Sequence, residues 1–95
     1  MTDRPSDGTS PTAIGLRLRL TREVLNLTQA EFADRCGIAR NTYNQYEMGK
    51  NTPKLLFAID ICDRFGLTLD WIYRGDPSGL PYKVADDLRA LRART

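Results

Sequence analysis

Arg40, Asn41, Asn44 and Gln45 fall within six consecutive positions, and their side chains are those in this sequence best suited to selective chemistry. A guanidinium can donate two parallel hydrogen bonds to guanine O6 and N7, and a carboxamide can pair in the same two-bond manner with adenine N6 and N7. At helical spacing these four residues and Met48 lie opposite Tyr43 and Tyr46, so the tyrosines turn inward and the polar groups turn out. Such a face is equipped to read base edges. The same residue types also suit a plain solvated helix face, so the decision rests on how the segment is held. Lys50 and Asn51 follow directly and would hold the flank of a groove through phosphates. The Tyr43 hydroxyl is a further phosphate candidate, although its spacing points to the core.

Catalysis finds few tools here. The 95 residues include no histidine, which removes the commonest general base, the usual Ser/His/Asp and Cys/His pairings and every histidine-containing zinc site. Asp, Glu, Cys and Tyr remain without paired-carboxylate or metal-ligand spacing, so no enzyme, metal or cofactor is expected. Cys36 and Cys62 are too few for a disulfide framework, and their core-facing spacing marks them as inert buried thiols. The first eleven residues contain Asp3, Arg4 and Asp7 and no apolar run, unlike a signal peptide. The longest aliphatic-aromatic run, Leu55 to Ile59, is far too short to span a bilayer. A cytoplasmic, nucleoid-associated protein with no membrane partner fits these features.

Length predicts one small domain with no room for an added small-molecule sensor. A chain of this size buries only roughly 60–65% of its unfolded surface, so its core must come from a few well-packed elements or from a partner subunit. The net charge of +2 neither requires nor forbids a polyanionic partner. Between Asn26 and Thr52, Arg35, Arg40 and Lys50 are balanced by Glu31, Asp34 and Glu47. Non-specific attraction to a duplex should therefore be weak, with Arg4, Arg17 and Arg19 as the cations available to supplement it.

The elements that would position this chemistry are all helical. Residues 1–11 read as a flexible arm. Thr12 is placed to cap a helix over about 13–25 that turns Ile14, Leu18, Thr21 and Leu25 to one side. Thr28 and Glu31 have the spacing of a capping box, and Gly37 stands where the next helix must end in a left-handed turn. A third helix follows over about 39–47. Thr52-Pro53 signals a fourth, over 53–65, with Leu55, Ala58, Ile59, Cys62 and Phe65 inward. Thr68 caps a short fifth, Leu69 to Arg74, and Val84, Leu88 and Leu91 recur at the spacing of a sixth. Helix 1 carries a second apolar stripe, Ala13, Leu16, Leu20 and Val24, and helix 4 adds Leu56 and Phe57 at positions expected to be polar. Such surface asks for cover. The tail from Val84 to Leu91, helped by Leu80 and Tyr82, is the natural candidate, packing on its own chain or on a dimer mate.

Residues 28–48 combine a capped helix, small Ala33, a bend at Gly37, Ile38 returning to the core and a second helix. This is the recipe of a helix-turn-helix, which holds its second helix out from the body where a major groove about 12 Å wide can receive it. With these residues the sequence resembles the Cro and phage-repressor type of helix-turn-helix regulators, the xenobiotic-response-element class. The resemblance is carried by Ile14-Gly15-Leu16-Arg17-Leu18-Arg19, Leu27-Thr28-Gln29, Ala33, Gly37-Ile38, Tyr46-Glu47-Met48-Gly49-Lys50, Pro53 and Leu69 to Gly75. It covers about residues 12–76, leaving 77–95 as a loop and an amphipathic C-terminal segment.

The resemblance implies an all-α, compact five-helix, lambda-repressor-like DNA-binding domain, here with an extra C-terminal helix. It implies operator DNA as the partner and commonly a two-fold dimer. It points to Arg40, Asn41 and Gln45 as base readers, with Asn44 beside them. Gln29, opening helix 2, is implied as a phosphate contact through its amide and the backbone N–H groups there. It also implies a structural ion pair between Arg22 and Glu47. The resulting expectation is a sequence-specific transcriptional regulator acting as a homodimer on a palindromic operator, with contact to RNA polymerase left open. The rival expectation is an antitoxin or anti-regulator that binds a second protein through the helix 1 stripe.

Overall fold

Proline at the first helical position forfeits no hydrogen bond and presets the backbone, and Pro11 begins α1 (Pro11–Val24). The cap is Ser10, whose Oγ accepts from the Ala13 N–H at 3.1 Å. Thr12, expected in that role, lies inside the helix. The computed structural model describes residues 7–94. Within them Asp7–Thr9 winds as a 3₁₀ turn leading into α1, so the end of the expected arm is structured. Residues 1–6, with Arg4, lie outside the described residues.

Local chemistry sets the next two helices. In α2 (Gln29–Cys36), Thr28 Oγ1 accepts from the Glu31 N–H at 3.1 Å while Glu31 Oε1 accepts from the Thr28 N–H at 2.8 Å, completing the predicted capping box. Gly37 then takes φ 70°, a conformation costly for any residue with a Cβ, and swings the chain into α3 (Arg40–Glu47).

The fourth helix departs from expectation. Pro53 is buried ahead of α4 (Leu55–Phe65), its carbonyl accepting from the Tyr73 hydroxyl at 2.8 Å, and Lys54 keeps an extended backbone as the cap. The buried face of α4 is also rotated from the predicted one: Phe57, Ala58 and Ile61 are inside, whereas Leu55 and Ile59 are exposed. Phe57 sets this register, its ring 5.1 Å from that of Tyr46 and 6.2 Å from that of Tyr43. Leu56 is 80% exposed.

A π-helical turn, Asp70–Arg74, follows, with Thr68 Oγ1 accepting from the Trp71 N–H at 3.0 Å. Trp71 is the largest fully buried side chain, and its indole N–H donates to Thr21 Oγ1 at 2.9 Å. Beside it Arg17 is only 8% exposed. The Arg17 guanidinium donates to the Ile72 carbonyl through Nε at 3.3 Å and Nη2 at 3.0 Å, and to the Gly8 carbonyl through Nη2. It also lies 5.9 Å from the Trp71 ring centroid. Burial, then the charge of Arg92, draws its pKa below the ordinary arginine value. The place beside a duplex considered for Arg17 is therefore corrected to an interior one.

The last helix, α5 (Tyr82–Arg94), is longer than the predicted segment and lies along α1 of its own chain. Leu88 is buried, Val84 and Leu91 are half-buried against the core, and Leu80 is buried at the approach. Of the α1 stripe, Leu20 is buried and Val24 half-buried, while Leu16 stays 47% exposed. Tyr82, expected to assist, points away at 84% exposure. Among the described residues there is no strand, and no helix is long and apolar enough to cross a membrane.

The closest approach between elements joins α1 to the end of α3. A Cβ on the buried Gly15 would lie 2.5 Å from both the Tyr46 and the Glu47 carbonyl oxygens, a backbone obstruction that no rotamer change relieves. Gly15→Ala should therefore push the two helices apart and lower the free energy of unfolding by about 1–3 kcal/mol. Urea denaturation measures this, and an unaltered midpoint would contradict the close packing.

Candidate nucleic-acid interface

Two turns of α3 carry the candidate surface. Tyr43 and Tyr46 lie on its inner face and are buried, which leaves Arg40, Asn41 and Met48 exposed and Asn44 and Gln45 half-exposed. The Tyr43 ring stands 4.9 Å from that of Phe32 on α2, so aromatic packing fixes the helix from behind. Arg40, Asn41 and Asn44 line one open concavity together with Gln29 at the start of α2. Lys50 and Asn51 are exposed just beyond the end of α3.

Behind this surface lies a polar cluster that ties three helices together. Arg22 on α1 donates to the Glu47 carboxylate at the end of α3 through Nε at 2.6 Å and Nη2 at 3.2 Å, and through Nη1 to the Leu27 carbonyl at 2.9 Å. The Glu47 side chain is only 4% exposed. Burial alone would raise its pKa, but the Arg22 guanidinium, the Tyr43 hydroxyl facing it and the Gln29 amide prevail and hold the carboxyl below the usual range. Bonding to that carboxylate raises the pKa of Arg22 in turn. Gln29 Nε2 is the third member, donating to Glu47 Oε1 at 2.9 Å and to Asn44 Oδ1 at 3.0 Å.

Two sequence expectations change here. Gln29 spends both amide hydrogens inside the protein, so its side chain has no donor left for a phosphate; its backbone N–H, in the first turn of α2, is the group still suited to one. Tyr43 is fully buried, its hydroxyl facing the Glu47 carboxylate without a well-formed hydrogen bond, and cannot reach a phosphate at the surface. Burial raises its phenol pKa far above the ordinary value.

The structure places the remaining predicted residues as follows. Arg40, Asn41, Gln45, Lys50 and Asn51 share the outward side of α3 and its C-terminal exit. Leu16, Leu20, Val24, Val84, Leu88 and Leu91 belong to the α1–α5 side and are separate from this surface. Both cysteines are free and half-buried, and burial foremost raises each thiol, that of Cys36 to about 11. Sequence reasoning missed the bond from Gln29 to Asn44, which joins residues fifteen positions apart. The only signal for it is a pair of amides on adjacent helices, one opening α2 and one in the middle of α3.

A helix-turn-helix family model matches residues 18–72, more than half of the chain. A cryptic phage CTXphi transcriptional repressor of Vibrio cholerae is 35% identical over 54 residues, 57% of this chain and 48% of its own. An HTH-type transcriptional regulator of Bacillus subtilis is 34% identical over 59 residues, 62% of this chain and 51% of its own. One of Methanocaldococcus jannaschii is 36% identical over 62 residues, 63% of this chain and 94% of its own. The chain thus spans about half the length of the first two relatives and nearly all of the third. No solved structure matches at comparable significance.

Two outcomes follow from the cluster and its neighbour. Tyr43→Phe removes a buried hydroxyl that faces the Glu47 carboxylate without a well-formed hydrogen bond, so it should lower stability by about 1 kcal/mol or less without altering duplex affinity. A loss of affinity at constant stability would return the hydroxyl to a phosphate. For Glu47, a depressed folded-state pKa means that its stabilising effect is complete above the ordinary glutamate range and is lost as pH falls through the depressed value. Glu47→Gln should cost about 3 kcal/mol at neutral pH, the lower end for breaking a buried pair, and the deficit should shrink on acidification. Thermal melts of both proteins across that range check this; a deficit independent of pH would contradict it.

Proposed function

Because the chain belongs to the helix-turn-helix family of the Cro and phage-repressor type, we propose that it is a sequence-specific DNA-binding transcriptional regulator. The observation that carries this reading is the division of α3 into a back locked by Tyr43 and Tyr46 and a front with Arg40 and Asn41 open to solvent. A helix held in that way enters the major groove without unfolding anything, so little ordering entropy opposes binding. Arg40, Asn41, Asn44 and Gln45 contact base edges, and Lys50, Asn51 and the backbone N–H of Gln29 contact phosphates on either flank.

The protein acts as a homodimer on a palindromic operator, its two α3 helices entering successive major grooves about 34 Å apart. Leu16 on α1 and the exposed Leu55, Leu56 and Ile59 of α4 provide apolar surface for a second copy. Repression accords with the similarity to the transcriptional repressor of Vibrio cholerae. The rival role, capture of a second protein through the α1 stripe, loses part of its surface, because Leu20 is buried and Val24 half-buried within this chain.

Selection of duplexes from a random pool tests the reading and reports half-site spacing as well as sequence. Arg40→Ala should then cost about 1–3 kcal/mol of specific binding and relax preference at one base position in each half-site. A uniform loss over all sequences would make Arg40 a phosphate contact, and failure to enrich any duplex at low ionic strength would remove the regulator assignment.

A further inference from the structure

Gln29 sits where one amide can dictate what a second amide is able to say. Its Nε2 carries two hydrogens, and both are committed, one to Glu47 Oε1 at 2.9 Å and one to Asn44 Oδ1 at 3.0 Å. The carboxylate settles the orientation, since an ionised Glu47 only accepts and the Gln29 group facing it must be the NH₂. Arg22 prevents the carboxylate from turning away, by its 2.6 Å and 3.2 Å bonds. Asn44 is therefore held with its carbonyl toward Gln29 and its NH₂ on the other side, where Nδ2 meets only the Met48 thioether, at 3.2 Å. Sulfur is a weak acceptor, so that contact yields readily to an oxygen or a ring nitrogen.

Resting on the reading that α3 faces the major groove, we infer that Asn44 is a donor-only base reader and that Gln29 is the positioning residue that makes it so. The two-bond pairing with adenine needs Oδ1 and Nδ2 turned together to one base edge, accepting from N6 and donating to N7. Rotating Asn44 into that arrangement would break its bond to Gln29. What Asn44 offers instead is an N–H, which suits the paired acceptors guanine O6 and N7 or thymine O4, gains only N7 beside a repelling N6 amino group on adenine, and is opposed by the cytosine N4 amino group. Arg40 and Asn41, nearer the N-terminus of α3 and exposed in the same concavity, are outside the clamp formed by Gln29.

Base preferences selected from random duplexes by the full chain, by Asn44→Ala and by Gln29→Met distinguish the outcomes. The position read by Asn44 is the one that Asn44→Ala flattens; in the parent it should favour guanine or thymine over cytosine by about fivefold or more, the low end for a polar base contact. Gln29→Met keeps the length of the side chain and removes its amide, so it should shift that single position toward adenine and leave the others as they were. A preference for adenine over guanine in the parent protein, or a Gln29→Met profile identical to the parent, would overturn the inference, as would an Asn44→Ala profile with no flattened position. In each of those cases the other positions still select, and the regulator reading stands. In the free protein, solvent exchange of the side-chain amide protons gives a second measurement. Those of Gln29 should exchange more slowly than those of Asn41, and equal rates would mean that no clamp exists.

Discussion

The Glu47 carboxylate is the joint between the scaffold and the exposed helix. A carboxylate this deeply buried is unfavourable alone, and it is tolerated because Arg22 and Gln29 both donate to it. Those donors come from α1 and α2, so the requirement to satisfy one charge fixes three helices relative to one another. The absence of a side chain at Gly15 is the steric counterpart. It lets α1 come close enough to the end of α3 for Arg22 to reach, and a larger residue would leave the charge stranded. Hydrogen bonding and backbone approach here impose a single condition on the angle of α3.

The first helix, α1, is anchored differently on its other side. Thr21 accepts from the Trp71 indole and donates to the Arg17 carbonyl at 2.7 Å, and Arg17 spans the π-helical turn and the opening 3₁₀ turn. With α5 along a third side, α1 becomes the central strut of a small protein that has few apolar residues to spare. The two buried polar groups of α1, Arg17 and Thr21, are not defects in its core, because each bonds to a group that would otherwise lack a partner.

Features decided within a few residues could be read from spacing, whereas among those decided at a distance the Arg22–Glu47 pair was legible only through the family resemblance. The capping box of Thr28 and Glu31, the bend at Gly37 and the inward tyrosines of α3 all follow from spacing alone. Thr52-Pro53 is an equally good local signal for a helix start, yet the Tyr73 hydroxyl, twenty positions away in sequence, binds the Pro53 carbonyl outside α4. Phe57 lies outside the inward set that local spacing gives α4, and the resemblance implies a polar residue there, but its ring fits beside Tyr46 and rotates α4 accordingly. Arg17 was misplaced because its acceptors, the Gly8 and Ile72 carbonyls, belong to other elements. The candidate interface divides along the same line. The exposure of Arg40 and Asn41 was legible, whereas the inward commitment of Gln29 depends on two partners on a different helix.

The brevity of α3 has a consequence for the arithmetic of genome addressing. Eight residues make a rod of about 12 Å, which at about 3.4 Å per base pair spans only three or four steps of a duplex. A word of that size recurs by chance at intervals on the order of a few hundred base pairs, against the millions of competing sites a chromosome offers. One such rod carries too little information to single out a locus, however well its contacts are made. Selectivity in a molecule of this design must come from counting words together, with their separation serving as part of the message.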